Sequence, residues 1–215
     1  MLNTPTKIVC VGRNYAEHAR ELGNEVPEEP VLFMKPVTSL VAVDQGIDLN
    51  HLTQNAHLGS LHFECELCLR IDHRISRVDK AAAMKAIGAV TLGLDLTLRD
   101  LQNSLKDQGL PWERAKAFDG ACVLGDWVDL TEVDLEALEF TCNINGELRQ
   151  HGQSSHMLFG LADLVSEISQ SFTLLPGDVI MTGTPSGVGP LSTQDQISMR
   201  LKTHTGTRVF DLSVV

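Results

Sequence analysis

The sequence has no apolar run approaching the ~18 residues that a membrane-spanning helix needs. Nothing at its start reads as a secretory leader: Met1 to Lys7 is short and polar, and the apolar stretch after it is only strand-length. Positive charge is scarce. Seventeen Lys and Arg face 28 Asp and Glu, a formal net charge of −11, and such a field repels nucleic-acid phosphates and anionic membrane surfaces. Cysteine is sparse too: five, scattered, are too few for a disulfide framework, and Cys65-x-x-Cys68 has no second pair after it. On a strand those two thiols point to opposite faces, so reduced core thiols are expected rather than a zinc or redox site. Repeats, low-complexity tracts and linkers are missing as well. The expectation is a cytoplasmic protein with neither nucleic acid nor membrane as partner.

What is present suits one domain over residues 1–215, with 43% hydrophobic and 21% charged residues. Lys7 to Val11 reads as a strand, followed by a short helix near Tyr15 to Leu22 with Asn14 as its cap and Gly23 closing it. His62 to Ile71 alternates with period 2, placing His62, Glu64, Glu66, Cys68 and Arg70 on one face and apolar residues on the other. A helix over Asp79 to Ile87, a strand over Ala89 to Leu96 and a helix over Arg99 to Lys106 follow. Asn145-Gly146 signals a two-residue hairpin, and Leu158, Leu161, Ala162, Val165 and Ile168 have helical spacing. Pro176-Gly177-Asp178 turns into a strand over Val179 to Thr182, and Thr205-Gly206 marks a last turn. Many short strands and few helices indicate a β-rich α+β fold.

Alternate strand positions put the Glu64 and Glu66 carboxylates on one face, roughly 7 Å apart. That is what a solvated sheet face looks like, unless a third oxygen ligand joins them. Asp95, ending an apolar strand, is the candidate, since a buried acid there needs a partner. Three carboxylates without His or Cys favour a hard cation such as Mg²⁺ or Mn²⁺, which would also reverse the negative field for an anionic substrate. Arg99, Gln102 and Lys106 share one helix face and could orient an anion or steady an oxyanion. His18 and Glu21, three apart on a helix, suit an oriented general base; surface pairs look the same. Gly183 to Gly189 lacks the G-K-[S/T] ending of a phosphate loop, yet its backbone N–H groups and the Thr184 hydroxyl could meet a carboxylate.

In order along nearly the whole chain, Gly12-Arg13-Asn14-Tyr15, Glu28 to Phe33, His62 to Glu66, Leu94 to Gln102 and Thr182 to Gly189 resemble the motifs of the fumarylacetoacetate hydrolase family. The resemblance implies a mixed β-sandwich roll with a few short helices, usually a homodimer, and Mg²⁺ or Mn²⁺ on Glu64, Glu66 and Asp95. It implies a water-activating dyad in His18 and Glu21, and catalytic roles for Lys116, Gln102 and Arg99. Arg13, Gly183 and Thr184 would bind substrate. The chain starts close to the catalytic region, which favours the compact acylpyruvase and isomerase-like branch, and His156 stands where relatives commonly have Asp.

The first expectation is Mg²⁺-dependent hydrolysis of an acylpyruvate, with water activated by His18 and pyruvate leaving as an enolate held by the metal. The second is an isomerase, tautomerase or decarboxylase of 2-oxo diacids such as oxaloacetate, which passes through the same enolate without water attack. A third, from another class, is a protein that binds a metal or small molecule without turning anything over.

Overall fold

The computed structural model describes residues 4–23, 25–49 and 59–215; Met1 to Asn3 of the polar start lie outside them. In chain order the first strands are β1 (Ile8–Gly12), β2 (Val31–Lys35), β3 (Leu40–Ala42), β4 (Leu61–Phe63) and β5 (Cys65–Ile71). Next come β6 (Ile87–Asp95), β7 (Thr97–Leu98), β8 (Cys122–Leu124), β9 (Val128–Asp129) and β10 (Glu139–Ile144). The last are β11 (Glu147–Gln153), β12 (Val179–Met181), β13 (Gly189–Pro190), β14 (Gln196–Thr203) and β15 (Gly206–Ser213). Short α-helices occupy Ala16–Glu21, Lys80–Ala86, Arg99–Asp107, Glu113–Lys116 and Leu161–Ser171. None of the described helices is long and apolar enough to cross a membrane.

The large sheet runs β2-β1-β12-β5-β6-β8-β3, with β9 beside β6. Two of its pairings, β1 with β12 and β3 with β8, are parallel, so the sheet is mixed. A four-stranded antiparallel sheet, β11-β10-β14-β15, and a small sheet, β13-β4-β7, complete the roll. The apolar faces of β10, β14 and β15 join β5 and β6 in one continuous core, with Phe140, Met199, Leu67, Leu69, Leu92 and Leu94 at its centre. A second cluster, including Ile8, Cys10, Cys68, Cys122 and Met181, covers the other face of the large sheet. Cys65 belongs to the first cluster and Cys68 to the second, as the two-residue period of a strand requires. All five thiols are free and buried. The expected β-rich α+β sandwich roll is the fold observed.

Local chemistry accounts for several elements. Asp79 caps the helix Lys80–Ala86 by accepting a hydrogen bond from Ala82 N at 2.8 Å. Asn145 and Gly146 both take positive φ, 53° and 83°, and close the β10–β11 hairpin. Leu161, Leu164, Val165 and Ile168 bury one helix face. Two expectations need correction. Asn14 does not cap the first helix: Tyr15 holds the cap position without a side-chain bond. The fully buried Asn14 amide instead donates to Phe159 O (3.1 Å) and Thr182 O (2.9 Å) and accepts from Phe159 N (2.8 Å), tying three segments together. The strand expected over His62 to Ile71 is also broken at Glu64. There β4 belongs to the small sheet and β5 to the large one, and the acidic face is buried rather than solvated.

Candidate active site

The break at Glu64 positions the acids. Asp95 N donates to Glu64 O at 2.9 Å, so the end of β6 lies against the β4–β5 junction. Glu66 pairs across the sheet with Gly93, where a Cβ would run into Val123 O, the Leu124 side chain and Cys68 Sγ. One ligand oxygen from each of Glu64, Glu66 and Asp95 lies within 4.8 Å of the others, and all three residues are buried.

Buried cations answer this negative charge. The helix Glu113–Lys116 delivers the Lys116 ammonium 2.8 Å from Glu64 Oε2 and 2.7 Å from Asp95 Oδ2. The Arg99 guanidinium donates to Glu64 Oε1, and to Gln102 Oε1 at 2.7 Å, which leaves the Gln102 amide hydrogens for another acceptor. Lys35, at the end of β2, places its ammonium 2.7 Å from Asp95 Oδ1 and donates to the Lys116 carbonyl. Burial pushes the Glu64 carboxyl up, but Lys116, Arg99 and His18 outweigh it and hold the group far below the usual carboxylate range. Burial likewise works against the Lys116 ammonium, and Asp95 and Glu64 overcome it, leaving its pKa raised. Glu66 is the exception. Burial, then the Asp95 and Glu64 charges, push its carboxyl well up, countered in part by the Gly183 N–H bond at 2.8 Å and by Lys116.

The donor set fits a divalent cation. It consists only of carboxylate oxygens, the chemistry of Mg²⁺ or Mn²⁺ rather than zinc. Asp95 Oδ1 is buried and its one cationic neighbour among the described residues, the Lys35 ammonium at 2.7 Å, is not aligned as a hydrogen-bond donor, so the oxygen keeps lone-pair density for an ion. Glu66, disfavoured as an anion by two like charges, is the ligand that an ion would relieve most.

One cavity holds nearly all of the expected residues: Arg13, His18, Arg99, Gln102, Lys106, Lys116 and Thr184 line it together with the three acids. Glu21 stands behind it, its Oε2 3.2 Å from His18 Nδ1. The Gly187 backbone N–H fixes that carboxylate, at 3.0 Å from Oε1. With Nδ1 engaged, Nε2 is the nitrogen free to exchange a proton. Two groups are spent differently from expectation. The Thr184 hydroxyl donates to Cys65 O (2.7 Å) and accepts from Gln150 Nε2 (2.8 Å), while the Gly183 N–H serves Glu66. Both brace the start of β5, which carries Glu66; among the described residues, the Thr184 backbone N–H is the group of this pair left for a ligand. His156 is exposed in the turn Ser154–His156, outside the cavity.

The residues match the fumarylacetoacetate (FAA) hydrolase C-terminal family over positions 7–209. The chain belongs to this family. It is similar to the oxaloacetate tautomerase YcgM of Escherichia coli (strain K12), 41% identical over 204 residues, which is 94% of this chain and 91% of the relative. The mitochondrial oxaloacetate tautomerase FAHD1 of Homo sapiens is 43% identical over 191 residues, 88% of this chain and 84% of that protein. Among solved structures, the fumarylpyruvate hydrolase of Pseudomonas aeruginosa in complex with Mn²⁺ and pyruvate is 32% identical. It superposes with a TM-score of 0.86 over 98% of this chain and 90% of its own.

Reading by motif left several residues of this site unnamed. Lys35 is the most consequential. Phe33 and Trp112, ring centroids 6.0 Å apart, form the apolar wall, and the Lys116 ammonium lies 5.4 Å over the Phe33 ring. Gln150 is buried and joins Cys65 N to Thr184 and Pro185 O. Phe33 and Lys35 share a strand face by the two-residue period, and a lysine ending an apolar strand is the signal that singled out Asp95.

Proposed function

We propose that the protein interconverts the enol and keto forms of oxaloacetate. A divalent cation on Glu64, Glu66 and Asp95 would supply Lewis acidity and countercharge to the oxygens of a 2-oxo acid. The chain's own groups manage the remaining charge. Ketonisation passes the enol-oxygen proton to water and adds a proton at C3, so negative charge develops on that oxygen between the two transfers. Lys116, the Gln102 amide hydrogens and Arg99 converge there as donors in a buried setting, where such donors act most strongly. Carbon then takes its proton from water or from His18 Nε2. The observation that carries this reading is the buried Lys116 ammonium beside the carboxylate triad, in a chain 41% identical to an oxaloacetate tautomerase over nearly its whole length.

Hydrolysis of acylpyruvates is the second reading, favoured by the His18–Glu21 contact, since that reaction needs a water activated for attack on the distal carbonyl. One series separates the two. Enol-oxaloacetate from dry organic solvent is diluted into buffer and its ultraviolet band followed, with Mg²⁺ and with EDTA; acetylpyruvate is assayed in parallel for release of pyruvate. The tautomerase reading expects rapid, EDTA-sensitive loss of the enol, a fall of less than about tenfold in His18→Ala, and near-complete loss in Lys116→Met. Hydrolysis would instead fall roughly 100- to 10,000-fold in His18→Ala. Enol decay no faster than in buffer alone, from folded metal-loaded protein, would refute the first reading.

A further inference from the structure

An asparagine followed by glycine is prone to attack on its own side-chain amide, because glycine puts no side chain in the way of its backbone nitrogen. Asn145-Gly146 is the one such pair in the chain. It lies exposed at the tip of the β10–β11 hairpin, with φ of 53° and 83°. The fold also anchors the asparagine side chain. Its Nδ2 donates to Asp195 Oδ1 at 2.8 Å, and its Oδ1 accepts from Gln196 N at 2.9 Å. Its backbone N–H donates to Gln196 O at 2.8 Å. Asp195 is itself held, since its Oδ2 accepts from Ser192 N at 2.7 Å. The turn is thereby clasped to the start of β14, 50 positions along the chain.

That clasp opposes deamidation at both of its early stages. The Gly146 nitrogen, having lost its proton to a base in solution, attacks Asn145 Cγ. The Cγ–Nδ2 bond then breaks, ammonia leaves with a proton from water, and a five-membered succinimide remains. Water opens the ring at either carbonyl, giving aspartate or, with the backbone rerouted through the side chain, isoaspartate. Bringing Cγ over the Gly146 nitrogen requires rotation about Cα–Cβ, which breaks the bonds to Asp195 and Gln196. The departing nitrogen needs a proton, and the group it faces is a carboxylate, which accepts hydrogen bonds and offers none.

We propose that Asn145 is a latent modification site, kept shut in the native fold by Asp195 and Gln196, and that its conversion loosens this corner of the four-stranded sheet. The product carries a carboxylate where Nδ2 had donated to Asp195, so an attraction becomes a repulsion between like charges. Isoaspartate also lengthens the backbone by one carbon, which a two-residue turn between strands in register does not accommodate. Conversion is irreversible, so altered chains accumulate in proportion to the time the turn spends open.

Folded wild type, the same protein in guanidinium chloride and folded Asp195→Ala are incubated side by side in mildly alkaline buffer. Conversion at residue 145 is followed by peptide mapping with mass spectrometry. The unfolded chain should convert at least about tenfold faster than folded wild type, the combined worth of two exposed side-chain hydrogen bonds. Asp195→Ala, which keeps the Gln196 N–H, should convert about threefold to tenfold faster. Aged wild type and Asn145→Asp should both melt below fresh wild type. Adding Asp195→Asn to Asn145→Asp should recover part of the loss, because one of the two facing carboxylates is gone. Folded wild type converting as fast as the unfolded chain, or Asp195→Ala converting at the wild-type rate, would overturn the clasp. An Asn145→Asp protein that melts with wild type would overturn the loosening. None of these readouts uses turnover, so they stand or fall apart from the tautomerase reading.

Discussion

Replacing Lys35 by methionine removes one charge from the most enclosed part of the site while keeping a side chain of similar length. The Lys35 ammonium is fully enclosed, faces Asp95 Oδ1 at 2.7 Å and donates to the Lys116 carbonyl. Its loss strips a buried carboxylate of a countercharge and a backbone carbonyl of a donor. Breaking one side of a buried ion pair costs about 3–5 kcal/mol, and an orphaned buried acceptor about 1–3 kcal/mol. One ammonium serves both partners, so the costs overlap, and about 4 kcal/mol is expected in EDTA. Urea denaturation followed by circular dichroism reads this as a lowered midpoint with an unchanged slope. The decisive step is the double variant with Asp95→Asn. If the two residues act as a pair, the coupling energy should exceed about 1 kcal/mol. A Lys35→Met protein within about 0.5 kcal/mol of wild type, or strict additivity with Asp95→Asn, would refute the reasoning.

Metal at 100 times its dissociation constant should stabilise the fold by about 2.7 kcal/mol, a melting shift of about 5–10 °C for a chain of this size. Glu66→Ala should abolish that shift in differential scanning fluorimetry, and a retained shift would place the metal elsewhere. At Gly187 the φ is 99°, and a Cβ would run into the Arg149 backbone carbonyl. Gly187→Ala should therefore cost about 1–3 kcal/mol and impair His18-dependent turnover, because the same residue's N–H holds Glu21. Asp178 accepts hydrogen bonds from Thr6 N, Thr6 Oγ1, Lys7 N, Lys7 Nζ and Leu175 N. Burial raises its carboxyl, but the Lys7, Leu175 and Thr6 bonds outweigh that and hold it below its ordinary 3.8. Its stabilisation is thus complete above that value and disappears as pH falls through the lower folded value. Asp178→Asn should lose about 2 kcal/mol at neutral pH and show weaker dependence on pH below 4 than wild type.

The two-residue period and the turn residues made much of the fold legible. Asn145-Gly146 sits where both φ angles are positive, and the helix expected over Asp79 to Ile87 is found at Lys80–Ala86 with Asp79 as its cap, because those signals are local. Asn14 misled for the opposite reason. Its amide satisfies partners 145 and 168 residues away, and a buried tertiary network outweighs a local cap. The cluster of Glu64, Glu66 and Asp95 was visible as alternating acids and an acid closing an apolar strand. The break at Glu64 was not, since the two sheets that claim β4 and β5 are assembled from segments remote in sequence. Gln150 was invisible because it lies on β11 between exposed polar neighbours, and only the fold turns its amide inward.

The first strand is clasped by residues from the far end of the chain. β1 lies parallel to β12, and the Thr6–Asp178 contact beside that pairing spans 172 positions. Loop closure on that scale is slow, and its entropy is repaid only after the long-range contacts form. During synthesis β5, β6 and β8 can pair as soon as they emerge, whereas β1 has no permanent place in the sheet until β12 exists. The helix carrying His18, which follows β1 directly, is therefore among the last parts to dock. A truncated or stalled chain would hold the acids of the site without the imidazole that faces them.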